Sequence, residues 1–137
     1  MLKFEPVAKF EKGTTLNLLL KSYESILNEM PKDKSDALIE KWEKQEDATF
    51  DNLDTIGKCC FITTLDGEIV GSFSYDPRQE PELGIIGDNV VLPEFRGKGY
   101  GKEQIMEILR IFKERGIKKG RVSTGNNNFF IPAQKQY

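Results

Sequence analysis

Apolar positions along this chain follow the strand rhythm in some stretches and the helical rhythm in others, and their order predicts a short series of elements. Leu2, Phe4, Val7, Ala8 and Phe10 alternate loosely with polar residues and read as an edge strand over 2–10, despite Pro6. After Gly13, Thr14 or Thr15 can cap a helix in which Leu16, Leu19, Leu20, Tyr23, Ile26, Leu27 and Met30 share one face. Pro31 stops it. Ser35 can cap a second, more polar helix through Leu38, Ile39 and Trp42 to about Glu46, and 49–57 reads as a loop anchored by Phe50, Leu53 and Ile56. Lys58 to Leu65 and Glu68 to Tyr75 form a hairpin about Asp66-Gly67. A third strand runs over 82–92, where Gly84 and Gly87 imply a bulge or a close backbone approach. A helix over 99–115 buries Ile105, Ile108, Leu109 and Phe112 and ends at Gly116. A short strand over 119–124, an asparagine-rich turn at 125–128 and a short helix over 131–137 follow. The order βααβββαβα, with antiparallel early strands and a late βαβ crossover, predicts an α+β fold with a mixed sheet.

Composition narrows the function classes. The 137 residues are expected to form one domain, 1–137, with no room for a second. A balance of 20 basic against 22 acidic residues gives no general attraction to nucleic acid or to an anionic membrane, so any basic site has to be local. No apolar run approaches the roughly 18 residues of a membrane span. The charges within 1–12 leave no apolar core for a secretory signal, so a cytoplasmic location is expected. Cys59 and Cys60 are adjacent in a predicted strand and point to opposite faces, so they are expected to be small buried residues rather than a disulfide. Without histidine or a Cys-x-x-Cys pair, neither a zinc site nor a histidine-based triad is expected.

The candidate chemistry lies in Val90-Val91-Leu92-Pro93-Glu94-Phe95-Arg96-Gly97-Lys98-Gly99-Tyr100-Gly101-Lys102, which joins an apolar strand to an amphipathic helix. Gly97, Gly99 and Gly101 let successive N–H groups face one concavity. The following helix adds unpaired N–H groups and the positive end of its dipole. Arg96, Lys98 and Lys102 add cations. A phosphate or diphosphate is the expected guest. A P-loop is excluded because Gly101-Lys102 is followed by Glu103, and a dinucleotide fingerprint because the glycines are spaced by two and lie late in the chain.

Arg96-Gly97-Lys98-Gly99-Tyr100-Gly101 fits the pattern Arg/Gln-x-x-Gly-x-Gly/Ala and follows Val-x-Leu-Pro-Glu-Phe. This resembles the acetyl-coenzyme A signature of the GNAT superfamily of N-acetyltransferases. The resemblance covers essentially the whole chain, and Thr124-Gly125-Asn126 through Ala133 to Tyr137 is similar to the family's second cofactor-side segment. It implies a mixed, mostly antiparallel sheet flanked by helices, here without the further C-terminal strands usual in that family. It also implies acetyl-CoA as the acetyl donor, with no metal. The main chain of Val90, Val91 and Leu92 would pair with the pantetheine arm, the N–H groups from Arg96 through Tyr100 to Lys102 would take the diphosphate, and Asn126 and Asn128 would lie on the second cofactor-side segment.

The reaction so implied is direct attack of a neutral amine on the thioester. A lysine-like amine, of pKa about 10.4, is neutral only to roughly one part in a few thousand at pH 7, so its proton has to be removed. Asp88 and Glu82, on the strand leading to the glycine turn, are the candidate bases, acting directly or through water. Asp88 is the nearer in sequence, and it can equally be a strand residue bonding local backbone. A backbone N–H near Val91 would stabilise the oxyanion. Tyr137 falls where the family often carries the tyrosine that protonates the departing thiolate, although a final residue is prone to fray.

Competing readings stay open. One is an enzyme acting on a small-molecule or peptide amine; another is a non-catalytic or partner-dependent acyl-CoA-binding module with an incomplete acceptor site. Nucleic-acid binding through Arg96, Lys98, Lys102, Lys118, Lys119 and Arg121 is disfavoured, because aromatic interleaving is absent and the net charge is negative. The strand at 119–124 would be an exposed sheet edge, which a second copy of the chain could cover. The acidic residues of 40–54 could attract a cationic acceptor or form a solvated face.

Overall fold

The hairpin forms where Asp66 and Gly67 supply consecutive positive φ values of 51° and 90°, the backbone of a two-residue turn whose twist suits its flanking strands. In the computed structural model, which describes residues 1–122, this hairpin joins β2 (Cys60–Leu65) to β3 (Glu68–Asp76). Ahead of it come β1 (Leu2–Pro6), α1 (Thr14–Ser22), α2 (Glu24–Glu29) and α3 (Lys32–Asp51), and after it β4 (Gly84–Val91), α4 (Tyr100–Glu114) and β5 (Gly120–Val122). The asparagine-rich turn and final helix, with Asn126, Asn128 and Tyr137, lie outside the described residues.

One sheet runs in the order β1-β2-β3-β4-β5, antiparallel up to β4 and parallel between β4 and β5. This is the α+β arrangement that the element order predicts. α4 lays Ile108 and Phe112 against Phe73, Tyr75 and Ile86, while Leu19, Tyr23 and Trp42 of the N-terminal helical region enclose Val90. A third cluster joins Val7, Leu18, Ile62 and Leu92. α4 ends as its sequence predicts: Gly116 takes φ 74°, its N–H bonds Lys113 O at 3.1 Å, and Ile117 N–H bonds Phe112 O at 2.9 Å, the paired bonds of a Schellman cap.

Several boundaries differ from the sequence expectation. β1 stops at Pro6, which has no N–H to continue a ladder, and Val7–Lys9 forms a 3-10 turn. The single helix expected over 14–30 is two, broken at Tyr23 (φ −108°, ψ 14°). At the break the Arg96 guanidinium takes the Ser22 carbonyl at 2.6 Å, a long-range bond that periodicity cannot reveal. α3 starts earlier and ends later than expected. Pro31 O receives both Lys34 N–H and Ser35 N–H at 3.0 Å, so Ser35 sits in the first turn rather than at the cap. On α4 the fully buried face includes Gln104, while Leu109 is only half-buried. Cys59 and Cys60 are half-buried, unbonded to each other, and Cys59 precedes β2.

Candidate active site

β4 carries a bulge. Phe73 faces Asn89 and Tyr75 faces Ile86, so Gly87 and Asp88 together oppose Ser74. Ser74 Oγ accepts the Asp88 N–H at 2.9 Å. Gly87 makes this approach possible, since a Cβ there would lie 2.5 Å from Ser74 Oγ. The bulge presents Asp88 to a cleft shared with Thr15, Trp42, Glu46 and Cys60. Asp88 is exposed as a residue, yet the protein crowding its carboxylate raises its pKa above the ordinary 3.8; Lys41 opposes the rise and Glu46 adds to it. A carboxylate so placed holds a proton more readily than one in open water.

The walls of the cleft come from the N-terminal helices. Tyr23 is buried, with its ring centroid 5.5 Å from that of Trp42. Burial, followed by the negative charge of Asp88, raises its hydroxyl pKa, against an opposing effect of Arg96. Glu46 is buried rather than part of a solvated acidic face. Its carboxylate receives Gly13 N–H at 2.6 Å and the Thr15 hydroxyl, anchoring the start of α1. Burial pushes the Cys60 thiol up to about 12, with Asp88 adding to the shift, so it stays protonated at neutral pH and is a poor nucleophile.

Beyond the bulge, β4 delivers its main chain to the glycine turn. Leu92 N–H bonds Val70 O at 2.9 Å, which makes Val70–Leu92 and Ser72–Val90 the bonded pairs. By antiparallel alternation the backbone groups of Asn89 and Val91 then point away from β3. On that side β5 pairs with β4 only from Gly84 to Ile86 among the described residues. The Val90 side chain is buried toward Leu19, Tyr23 and Trp42, and Leu92 is buried in its own cluster.

After a 3-10 turn at Pro93–Phe95, Gly97 and Gly99 take φ values of 80° and 84°. Arg96 N–H bonds Pro93 O at 3.2 Å, and the first helical bond of α4 runs from Glu103 N–H to Gly99 O at 3.1 Å. Between them, no main-chain N–H from Gly97 to Lys102 donates a hydrogen bond among the described residues. A row of undonated N–H groups on left-handed glycines, at the start of a helix, is an anion cradle. Lys98 and Lys102 are exposed beside it, Lys98 lying 5.9 Å from the Phe95 ring centroid. Tyr100 is half-buried in the first turn of α4, and a Cβ at Gly101 would meet only ordinary contacts at 3.6 Å.

Four candidates depart from expectation: Val90 and Leu92 turn their main-chain N–H groups to β3 rather than to the outward edge, and Arg96 and Glu82 differ too. The Arg96 guanidinium turns from the cradle to brace the fold, donating to Val91 O at 3.2 Å and Ser22 O at 2.6 Å, and its N–H is already used. Glu82 does not join Asp88. It precedes β4 and pairs with Lys118 at 3.4 Å, about 20 Å along the chain from Asp88 at strand rise. Sequence reading missed Ser74, Glu46, Asn89 and Gln104. Only the glycine pair at 84 and 87 signalled the bulge, and nothing local marked its partner.

No helix among the described residues is long and apolar enough to cross a membrane, and none of their His, Cys, Asp and Glu side chains form a group of three that could hold a metal ion. Residues 20–130 match the acetyltransferase (GNAT) family profile. An uncharacterized N-acetyltransferase of Archaeoglobus fulgidus is 32% identical over 73 residues, half of each chain, so the match spans about half the length of that curated relative. The PaiA N-acetyltransferase of Thermoplasma acidophilum, solved with coenzyme A, superposes with a TM-score of 0.71 at 14% identity, over 99% of this chain and 87% of that one. The protein PH1933 of Pyrococcus horikoshii superposes at 0.65 and 19% identity, over 99% and 86% of the two chains. These structural likenesses establish a common fold, and the profile match over most of the chain shows that it belongs to the acetyltransferase (GNAT) family.

Proposed function

We propose that this chain transfers an acetyl group from acetyl-CoA to a primary amine by direct attack, with Asp88 as the base. The observation that carries the reading is the juxtaposition of an undonated N–H row at Gly97–Lys102 with a carboxylate set out on the bulge of the same strand. The residues present fit the donor: the cradle suits a diphosphate, and the outward edge of β4 at Asn89 suits an amide of a pantetheine arm. Acetyl-CoA supplies an acetyl group activated as a thioester.

This chain's own residues do the rest. Lys98 and Lys102 add positive charge beside the diphosphate. Asp88 accepts the ammonium proton, a task its raised pKa favours, since base strength and proton affinity rise together. Val91 O is held by Arg96, which leaves its N–H as the donor directed at the reacting carbonyl oxygen. Trp42 and Thr15 line the acceptor side, where the acceptor would be a small molecule or a peptide. Tyr137 is proposed to return a proton to the departing thiolate, and Asn126 and Asn128 to contact the donor; these lie outside the described residues.

The test is acetylation of a panel of polyamines, aminoglycosides, amino acids and peptide N-termini, followed by mass. Turnover by the wild type, with kcat reduced about 100-fold or more in Asp88→Asn, is expected of a positioned base. Coenzyme A binding without acetylation of any amine would return the non-catalytic reading.

A further inference from the structure

Gln104 is a fully buried polar side chain on the face of α4 turned to the sheet. Its Nε2 lies 2.8 Å from Asn89 Oδ1, 3.2 Å from Ser72 O and 3.2 Å from Val90 O. The main-chain oxygens only accept, so the amide must turn its NH₂ toward them; this fixes its orientation by chemistry. Its Oε1 faces Gly71, where a Cβ would lie 2.7 Å away, and has no partner among the described residues. Because Nε2 can only donate, Asn89 must in turn present Oδ1 to it. The Asn89 Nδ2 is thereby aimed the other way, 3.6 Å from where a Cβ of Gly101 would stand. That half-buried amide donates to nothing among the described residues. It sits between β4 and the first turn of α4.

We propose that Asn89 Nδ2 is a donor-binding group, and that Gln104 is the positioning residue which sets its orientation. The inference rests on the acetyl-donor reading above and deepens it: the oxygen that Asn89 would bind is an amide carbonyl of the pantetheine arm, lying along the outward edge of β4. Gln104 touches no ligand. It acts by denying Asn89 the flipped amide orientation, in which two NH₂ groups would face each other.

The experiment measures the dissociation constant for coenzyme A by calorimetry, beside the melting temperature, for wild type, Gln104→Met, Asn89→Leu and the double variant. Each single change is expected to weaken coenzyme A about tenfold, the scale of one lost hydrogen bond. The double variant should bind no more weakly than Asn89→Leu alone, because Gln104 acts through Asn89. A purely structural role would lower the melting temperature and leave affinity unchanged. Wild-type affinity in Asn89→Leu overturns the proposal, and that half-exposed position carries the test even where Gln104→Met does not fold. Additive losses in the double variant overturn the positioning role. A wild type that binds no coenzyme A overturns the acetyl-donor reading and this inference together, whereas a binding wild type with equally tight variants overturns this inference alone.

Discussion

The Asp88 main-chain N–H donates to Ser74 Oγ at 2.9 Å across the bulge, so a hydroxyl on β3 holds the proposed base on β4 at its backbone. Removing that hydroxyl leaves the bulge N–H without its acceptor. Ser74→Ala is expected to cost about 1 kcal/mol of stability, and about 4 °C in melting temperature for a chain of this size. Turnover should fall as Asp88 loses its fixed setting. Thermal melts and steady-state kinetics on the same preparation check both effects.

Asp88 also makes a prediction about pH. Its pKa is raised in the folded chain by crowding, so over the window just above 3.8 the folded state binds more protons than the unfolded state. Stability then falls as pH rises through that window and levels off above the folded pKa. Asp88→Asn removes this penalty. The variant is expected to match or exceed the wild type in melting temperature at pH 7, with the difference shrinking toward pH 4, while catalysis is lost. A variant less stable than wild type at pH 7 would contradict the assigned cause.

Glu46 joins the helices that wall the cleft. Its replacement by alanine strands the part-buried Gly13 N–H and Thr15 hydroxyl, a loss of about 1 kcal/mol or somewhat more. Urea denaturation should show a lower midpoint at unchanged slope. Glu46→Gln keeps only one acceptor oxygen and should fall between wild type and Glu46→Ala.

Charge near the cradle separates by role. Arg96→Lys loses the planar fork that spans Val91 O and Ser22 O, and should lower stability by about 1–2 kcal/mol. Lys98→Ala and Lys102→Ala, at exposed positions, should leave stability unchanged and weaken coenzyme A binding, with the salt dependence of that binding reduced. Calorimetric titrations at low and high salt distinguish the two patterns.

What could be read from sequence was local chemistry. Asp66-Gly67, Gly116 and the pair Gly97 and Gly99 each take a backbone that few other residues adopt, so the hairpin, the helix stop and the turn were legible. The bulge was half legible: Gly87 announced it, but Ser74 lies on another strand with nothing local to mark it. The break at Tyr23 lies beside the Ser22 carbonyl that Arg96 binds from far along the chain, and α3 starts ahead of the cap that Ser35 suggests. Gln104 and Asn89 were passed over because polar residues within apolar patterns read as surface. Only the packed sheet shows that each is the other's partner.

We propose acetyl-donor binding at the glycine turn and the outward edge of β4. Its most direct test is the melting temperature of the purified chain against rising acetyl-CoA, with coenzyme A and ATP alongside. A ligand at one hundred times its dissociation constant stabilises by about 2.7 kcal/mol, so modest affinity registers. A saturable rise with acetyl-CoA and coenzyme A, and little with ATP, is expected. A cooperative melt that neither acetyl-CoA nor coenzyme A moves would contradict it.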